Sequence, residues 1–142
     1  MTRNEARTQH LANALAGITG VAFLYFKYFA KSTDPYSSAG HPLEPVAHNL
    51  HVLLSPLLLF AVGLIWADHV WKKIQRGRQK RRQSGVLMAA LFGPMALSAY
   101  AIQVSVDETT RKTWATIHIA TSIVWMVGYI IHLALKPVKS QP

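Results

Sequence analysis

Four apolar stretches, each about as long as a bilayer's hydrocarbon layer is thick, leave this chain of 142 residues little choice of fold. They run from Leu11 to Ala30, Val46 to Val70, Val86 to Val106 and Trp114 to Leu135. Each supplies the roughly 20 residues that a helix rising 1.5 Å per residue needs to cross ~30 Å of hydrocarbon. Four such spans and their connections consume nearly all of the chain, so the expectation is one all-α domain over residues 1–142, a bundle of four transmembrane helices. Arg3 and Arg7 ahead of the first run resemble a secretory signal. The run is too long for one and no convincing small-residue cleavage site follows, so it reads as a retained span.

The connections are polar. Lys31 to Pro45 holds Asp34-Pro35, Gly40-His41-Pro42 and Pro45, which break helices and predict a surface loop. Lys72 to Gln83 carries seven Lys and Arg and no acid, and Asp107 to Lys112 reads as a tight turn of mixed charge. Cytoplasmic loops hold the excess of Lys and Arg. Arg3, Arg7, the seven of the middle loop, Lys136 and Lys139 make eleven on one side, against Lys27, Lys31, Arg111 and Lys112 on the other. Both termini are therefore expected in the cytoplasm, the natural setting being a bacterial inner membrane. The basic loop is explained by topology and contact with anionic membrane lipid. The net charge of +9 does not signal nucleic acid, because the cations flank apolar helices and form no soluble basic face.

With no cysteine, disulfides, thiolate-held clusters, thiolate zinc sites and covalent haem attachment are excluded. A metal must sit on His, carboxylate or Met. Ionisable side chains in a membrane helix are costly and mark function. His51 and His69 lie in the second stretch, 18 residues apart, which is five turns at 3.6 residues per turn and places both on one face. His118 and His132 in the fourth are 14 apart, about 40° short of four turns, and share a face as well.

The second and fourth spans run in the same direction, so His51 is expected to face His118 near the outer surface and His69 to face His132 near the inner one. Porphyrin fills four positions on iron and leaves two axial ones, which two imidazoles on neighbouring helices can occupy. The pattern thus predicts two bis-histidine b-type haems stacked across the bilayer as an electron path. The two intervals differ, ~27 Å against ~21 Å, and Pro56 offers a kink that shortens the longer one.

Two further histidines compete as haem-binding residues. His48, three residues before His51, could replace it or bond a propionate, and His10 lies at the inner depth of His69 and His132. The shared face favours His69 over His10. His41 reads as a solvated loop residue. Gly17, Gly20, Gly63, Gly93 and Gly128 let helices or a flat macrocycle approach closely. Trp66, Trp71, Trp114, Trp125 and Tyr129 suit interface anchors or, as the alternative, packing against haem faces, and Met95 and Met126 suit core. Propionates are expected near Arg78, Arg82 or Lys136 inside and Arg111 or Lys112 outside. Asp68 is the candidate proton-exchanging group of a quinone site near the inner haem, or else a helix-end partner of Lys72.

The chain resembles the small four-helix membrane cytochromes b of the cytochrome b561-like kind. The likeness covers most of its length and rests on three segments: Trp114-Ala115-Thr116-Ile117-His118 with His132-Leu133-Ala134 fourteen residues on, Asp68-His69-Val70-Trp71, and Ser98-Ala99-Tyr100-Ala101-Ile102-Gln103. The paired histidines of the fourth span also look like those of the cytochrome b subunits of formate dehydrogenases and nickel-iron hydrogenases. The resemblance implies electron transfer between membrane quinone and a partner at the outer face, either other subunits of a redox complex or a periplasmic cytochrome. Those dehydrogenase subunits take an inner ligand from the first helix, whereas this chain offers both His10 and His69. Too little mass lies outside the membrane for a complete oxidoreductase. A haem-free scaffold or assembly subunit with structural histidines, or a small proton-coupled transporter using Asp68, are the alternatives.

Overall fold

A computed structural model describes residues 1–30, 32, 40–75 and 82–134. Among them the chain is helical throughout: α1 (Arg3–Tyr28), α2 (Glu44–Ile65), a π-helical segment (Trp66–Trp71), α3 (Lys72–Gln75), α4 (Arg82–Val104) and α5 (Glu108–Ala134). They group into two compact units, residues 1–67 and 68–142. At their N-terminal ends the helices outrun the apolar stretches into polar residues, where caps rather than hydropathy decide the boundary. α1 begins at a capping box: Thr2 Oγ1 accepts from the Glu5 amide at 3.2 Å while the Glu5 carboxylate accepts from the Thr2 amide at 2.7 Å.

Among the described residues three helices are long and apolar enough to cross a membrane: Glu44–Ile65, Ser84–Val104 and Glu108–Ala134. α1 is not among them, although it is 26 residues long. Gln9, His10 and Asn13 dilute its first half, and its buried face is Gln9, Ala12 and Ala16. Those alanines belong to the packing of α1 against α2, where Ala47, Leu58, Ala61, Val62 and Ile65 are buried. Small residues let two helix backbones come close, which is how helices associate where no water drives them together.

α2 starts at Glu44-Pro45, and proline early in the first turn forfeits only a donor that has no helical partner there. The preceding turn is closed by His41, whose Nδ1 accepts from the Leu43 amide at 3.1 Å and whose ring stacks on Phe26 at 4.8 Å. His41 is thus a packed turn residue, against the expectation of a solvated one. Residues 31 and 33–39 of the expected loop lie outside the described residues, as do residues 76–81 of the basic one. The described ends of that basic loop are helical, at Lys72–Gln75 and from Arg82 onward.

The second unit is dominated by α4 packed on α5. Met95, Ser98 and Trp125 are buried, with Phe92 and Trp125 tilted together at 5.5 Å. Trp125 is therefore a core residue of this hairpin and no interface anchor, while Met95 is core as expected. The connection is shorter than the sequence suggested, because α5 already begins at Glu108. Asp107 Oδ2 accepts from the Thr110 amide at 2.7 Å and caps α5. Arg111, in the first turn of α5, reaches back to the link that follows α4, its Nη2 donating to Ser105 O and Val106 O at 3.2 Å each.

The amide of Thr110 holds the Asp107 carboxyl below its ordinary value of 3.8. A depressed folded-state pKa contributes stability above the unfolded value and loses it as pH falls through the folded one. Asp107→Ala should accordingly lower the melting temperature of the detergent-solubilised protein at neutral pH, and the gap between variant and parent should close as the pH falls below 3.8. Thermal melts followed by circular dichroism at a series of pH values check this, and a gap independent of pH removes the charged cap from the account.

Candidate functional site: histidines held on helix faces

In the first unit, His51 projects from α2 toward α1. Its Nδ1 lies 3.2 Å from Thr19 Oγ1 and 3.5 Å from Ser55 Oγ, and the Ser55 hydroxyl also donates to the His51 carbonyl. The ring needs the glycine next to Thr19. A Cβ on Gly20 would stand 3.0 Å from His51 Cε1 and 3.3 Å from Nδ1, closer than side chains pack. One turn earlier His48 faces the same helix, its ring tilted against Phe23 at 4.9 Å. His48 therefore has an aromatic neighbour, whereas His51 has hydroxyls at its nitrogen.

In the second unit, His118 of α5 points at α4. Its Nδ1 is 3.0 Å from the Met95 carbonyl and 3.4 Å from Ser98 Oγ, and the Ser98 hydroxyl itself donates to Met95 O at 3.0 Å. A carbonyl can only accept, so this contact requires the proton on Nδ1 and leaves the lone pair on Nε2. Four turns along α5, His132 Nδ1 lies 2.9 Å from Ser84 Oγ. The residue after Ser84 is again glycine, and a Cβ there would come to 3.9 Å from His132 Cε1.

His69 lies in the π-helical segment Trp66–Trp71 and is half-buried. The reckoning that put it on the face of His51 assumed 3.6 residues per turn throughout. π turns are wider, so the five-turn count does not run through this segment. Pro56 stays inside α2, where it removes one backbone donor. His10 is exposed on α1, yet its neighbour Gln9 is only 7% exposed, and Gln9 Oε1 has no hydrogen-bond partner among the described residues.

Of the groups expected near propionates or quinone, Arg78 and Lys136 lie outside the described residues, as do the side chains of Arg82 and Asp68. Arg111 holds the Ser105 and Val106 carbonyls of the link, and Lys112 pairs with Glu108 at 2.8 Å on the surface. Among the described residues no three His, Asp or Glu side chains gather as a cluster able to hold a metal ion. Haem asks for less, since the macrocycle supplies four donors and the protein two. An imidazole whose Nδ1–H is taken by a carbonyl or hydroxyl is the form in which histidine presents Nε2 to iron, and His118 meets that condition. His51 and His132, each with a hydroxyl beside Nδ1, fit it as well, and at His51 the glycine also clears the ring.

Thr19, Ser55, Ser84, Ser98 and the Met95 carbonyl are the participants that sequence reasoning missed. A faint signal existed, in that Ser55 is one turn from His51 on the same helix. The partners on neighbouring helices had none, because their meeting depends on helix register. No protein-family model, no curated protein and no solved structure matches this chain.

The close approach at Gly20 has a measurable consequence. Gly20→Ala should displace the His51 ring from Thr19, and Gly20→Val should cost about 1–3 kcal/mol through overpacking. Thermal denaturation together with 15N spectra of labelled histidine checks both, and an unmoved His51 resonance in Gly20→Val contradicts the packing described.

Proposed function

We propose that this chain is a transmembrane electron-transfer subunit, a four-span cytochrome b holding two b-type haems between membrane quinone and a redox partner at the outer face. The observation that carries the reading is the state of His118: an imidazole within an apolar helix whose Nδ1 lies 3.0 Å from a backbone carbonyl. A histidine needed only for packing would be cheaper as an apolar residue in a membrane, so its retention with a fixed tautomer points to work at Nε2. When bound, haem with two imidazole ligands supplies one-electron ferric–ferrous exchange.

In this reading His51 and His118 hold the outer haem, and His132 holds the inner one with His69. The π-helical turn around His69 supports that choice, because such turns occur mostly at functional positions. His10, on α1, is the competing inner ligand. α1 serves as the fourth span, apolar from Leu11 onward and packed on α2, and the Lys and Arg excess places both termini in the cytoplasm of a bacterial cell. His48 lies one turn nearer the outer surface than His51, where a propionate can reach it. The resemblance to cytochrome b561-like proteins supports quinone as one redox partner and further subunits or a periplasmic cytochrome as the other.

Purified protein from haem-replete cells should be red, with the reduced α-band of b-type haem and two haems per chain by pyridine haemochrome. A colourless preparation sinks the proposal in favour of a scaffold or a transporter. Single replacements then assign ligands: His118→Leu and His51→Leu should each lose one haem, and so should His69→Leu, with His10→Leu retaining both. Loss on His10→Leu together with full retention on His69→Leu reverses the inner assignment.

A further inference from the structure

Two places in the molecule repeat one arrangement. On α1, Thr19-Gly20 receives His51 from α2: the hydroxyl lies 3.2 Å from Nδ1, and the glycine leaves the ring edge the space a Cβ would fill at 3.0 Å. On α4, Ser84 receives His132 from α5, with the hydroxyl 2.9 Å from Nδ1. A Cβ on the following Gly85 would make an ordinary contact with the ring at 3.9 Å, so here the hydroxyl alone is the shared feature. The two occur in different hairpins, so one contact does not enforce the other.

We infer that these hydroxyls are positioning devices for haem ligands, each accepting a hydrogen bond from Nδ1–H and so setting how strongly the imidazole donates to iron. The inference rests on the haem reading and goes beyond it, by naming residues that set the midpoint potential without touching the macrocycle. The hydroxyl accepts the Nδ1 proton, which makes Nε2 a better donor and favours ferric iron. Removing the hydroxyl should therefore raise the potential of the haem concerned.

His118 provides the internal control. Its Nδ1 meets the Met95 carbonyl at 3.0 Å and Ser98 Oγ only at 3.4 Å, so trimming Ser98 leaves the nearer acceptor in place. Ser98 is fully buried at 0% exposure, whereas Ser84 is half-buried. A packing role for these serines predicts the larger disturbance at Ser98, and a positioning role predicts it at Ser84.

The experiment uses the full chain in detergent, with haem content, optical redox titration and the g-values of low-spin ferric haem as readouts. Ser84→Ala should keep two haems and raise one midpoint potential, Ser84→Thr should restore it, and Ser98→Ala should shift the other haem less. No shift in Ser84→Ala, or an equal or larger shift in Ser98→Ala, overturns the inference. If Ser84→Ala sheds haem altogether, recovery of haem and potential in Ser84→Thr supports it and failure to recover overturns it. A wild-type protein without haem counts against the parent reading. Full haem without the Ser84 effect counts against this inference alone.

Discussion

An imidazole in a medium without water must have its ring nitrogens satisfied by the protein, and this requirement organises each hairpin. Backbone amides in a span are satisfied by the helix itself, whereas a side chain has to find its partner on the same turn or on a neighbour. Ser55 answers the first way, one turn from His51 on α2. Thr19, Ser84, Ser98 and the Met95 carbonyl answer the second way, and each ties a histidine to the antiparallel helix beside it. The polar contacts therefore do two tasks. They hold the rings, and they fix the register of helices whose other contacts are alanine, glycine and exchangeable apolar surface.

Much of the fold was legible because its causes are local. Apolar length marked the spans, and proline and charge marked their connections, since both act on the residues that carry them. The helix ends were less legible. Asp107 was read as part of a turn and is a cap, because an aspartate before a polar first turn looks like a loop until the Thr110 amide is seen on its carboxylate. α1 illustrates the limit of averaging: Gln9 and Asn13 lower its apolar character, and their place on a helix face, with Gln9 turned inward, cannot be read from composition.

The candidate site was half legible for the same reason. Finding His51, His118 and His132 required only that imidazoles are rare in apolar helices. Their orienting partners lie on other helices, 32 residues away for Thr19, 20 for Ser98 and 48 for Ser84. Distances of that order are set by how two helices slide against each other, which no spacing within one helix records. His69 shows a different limit. The arithmetic that gave it a face was local and clear, but it presumed a uniform α-helix, and the π-helical segment around Asp68-His69 breaks that premise.

The link between α4 and α5 is so short that it acts as a gauge block. Residues 105–107 are all that separate Val104 from Glu108, and Arg111 of α5 clamps Ser105 and Val106 of that link to the first turn of α5. With the ends pinned, α5 has one way to lie along α4, and both Ser98 and Ser84 are then met by histidines on a single rigid rod. A hairpin that closes one residue out of step misses both acceptors together. Correct closure is in that sense all-or-none, and a nascent hairpin that has not found its register strands two imidazoles in lipid, a costly state that drives the helices to slide until both are seated.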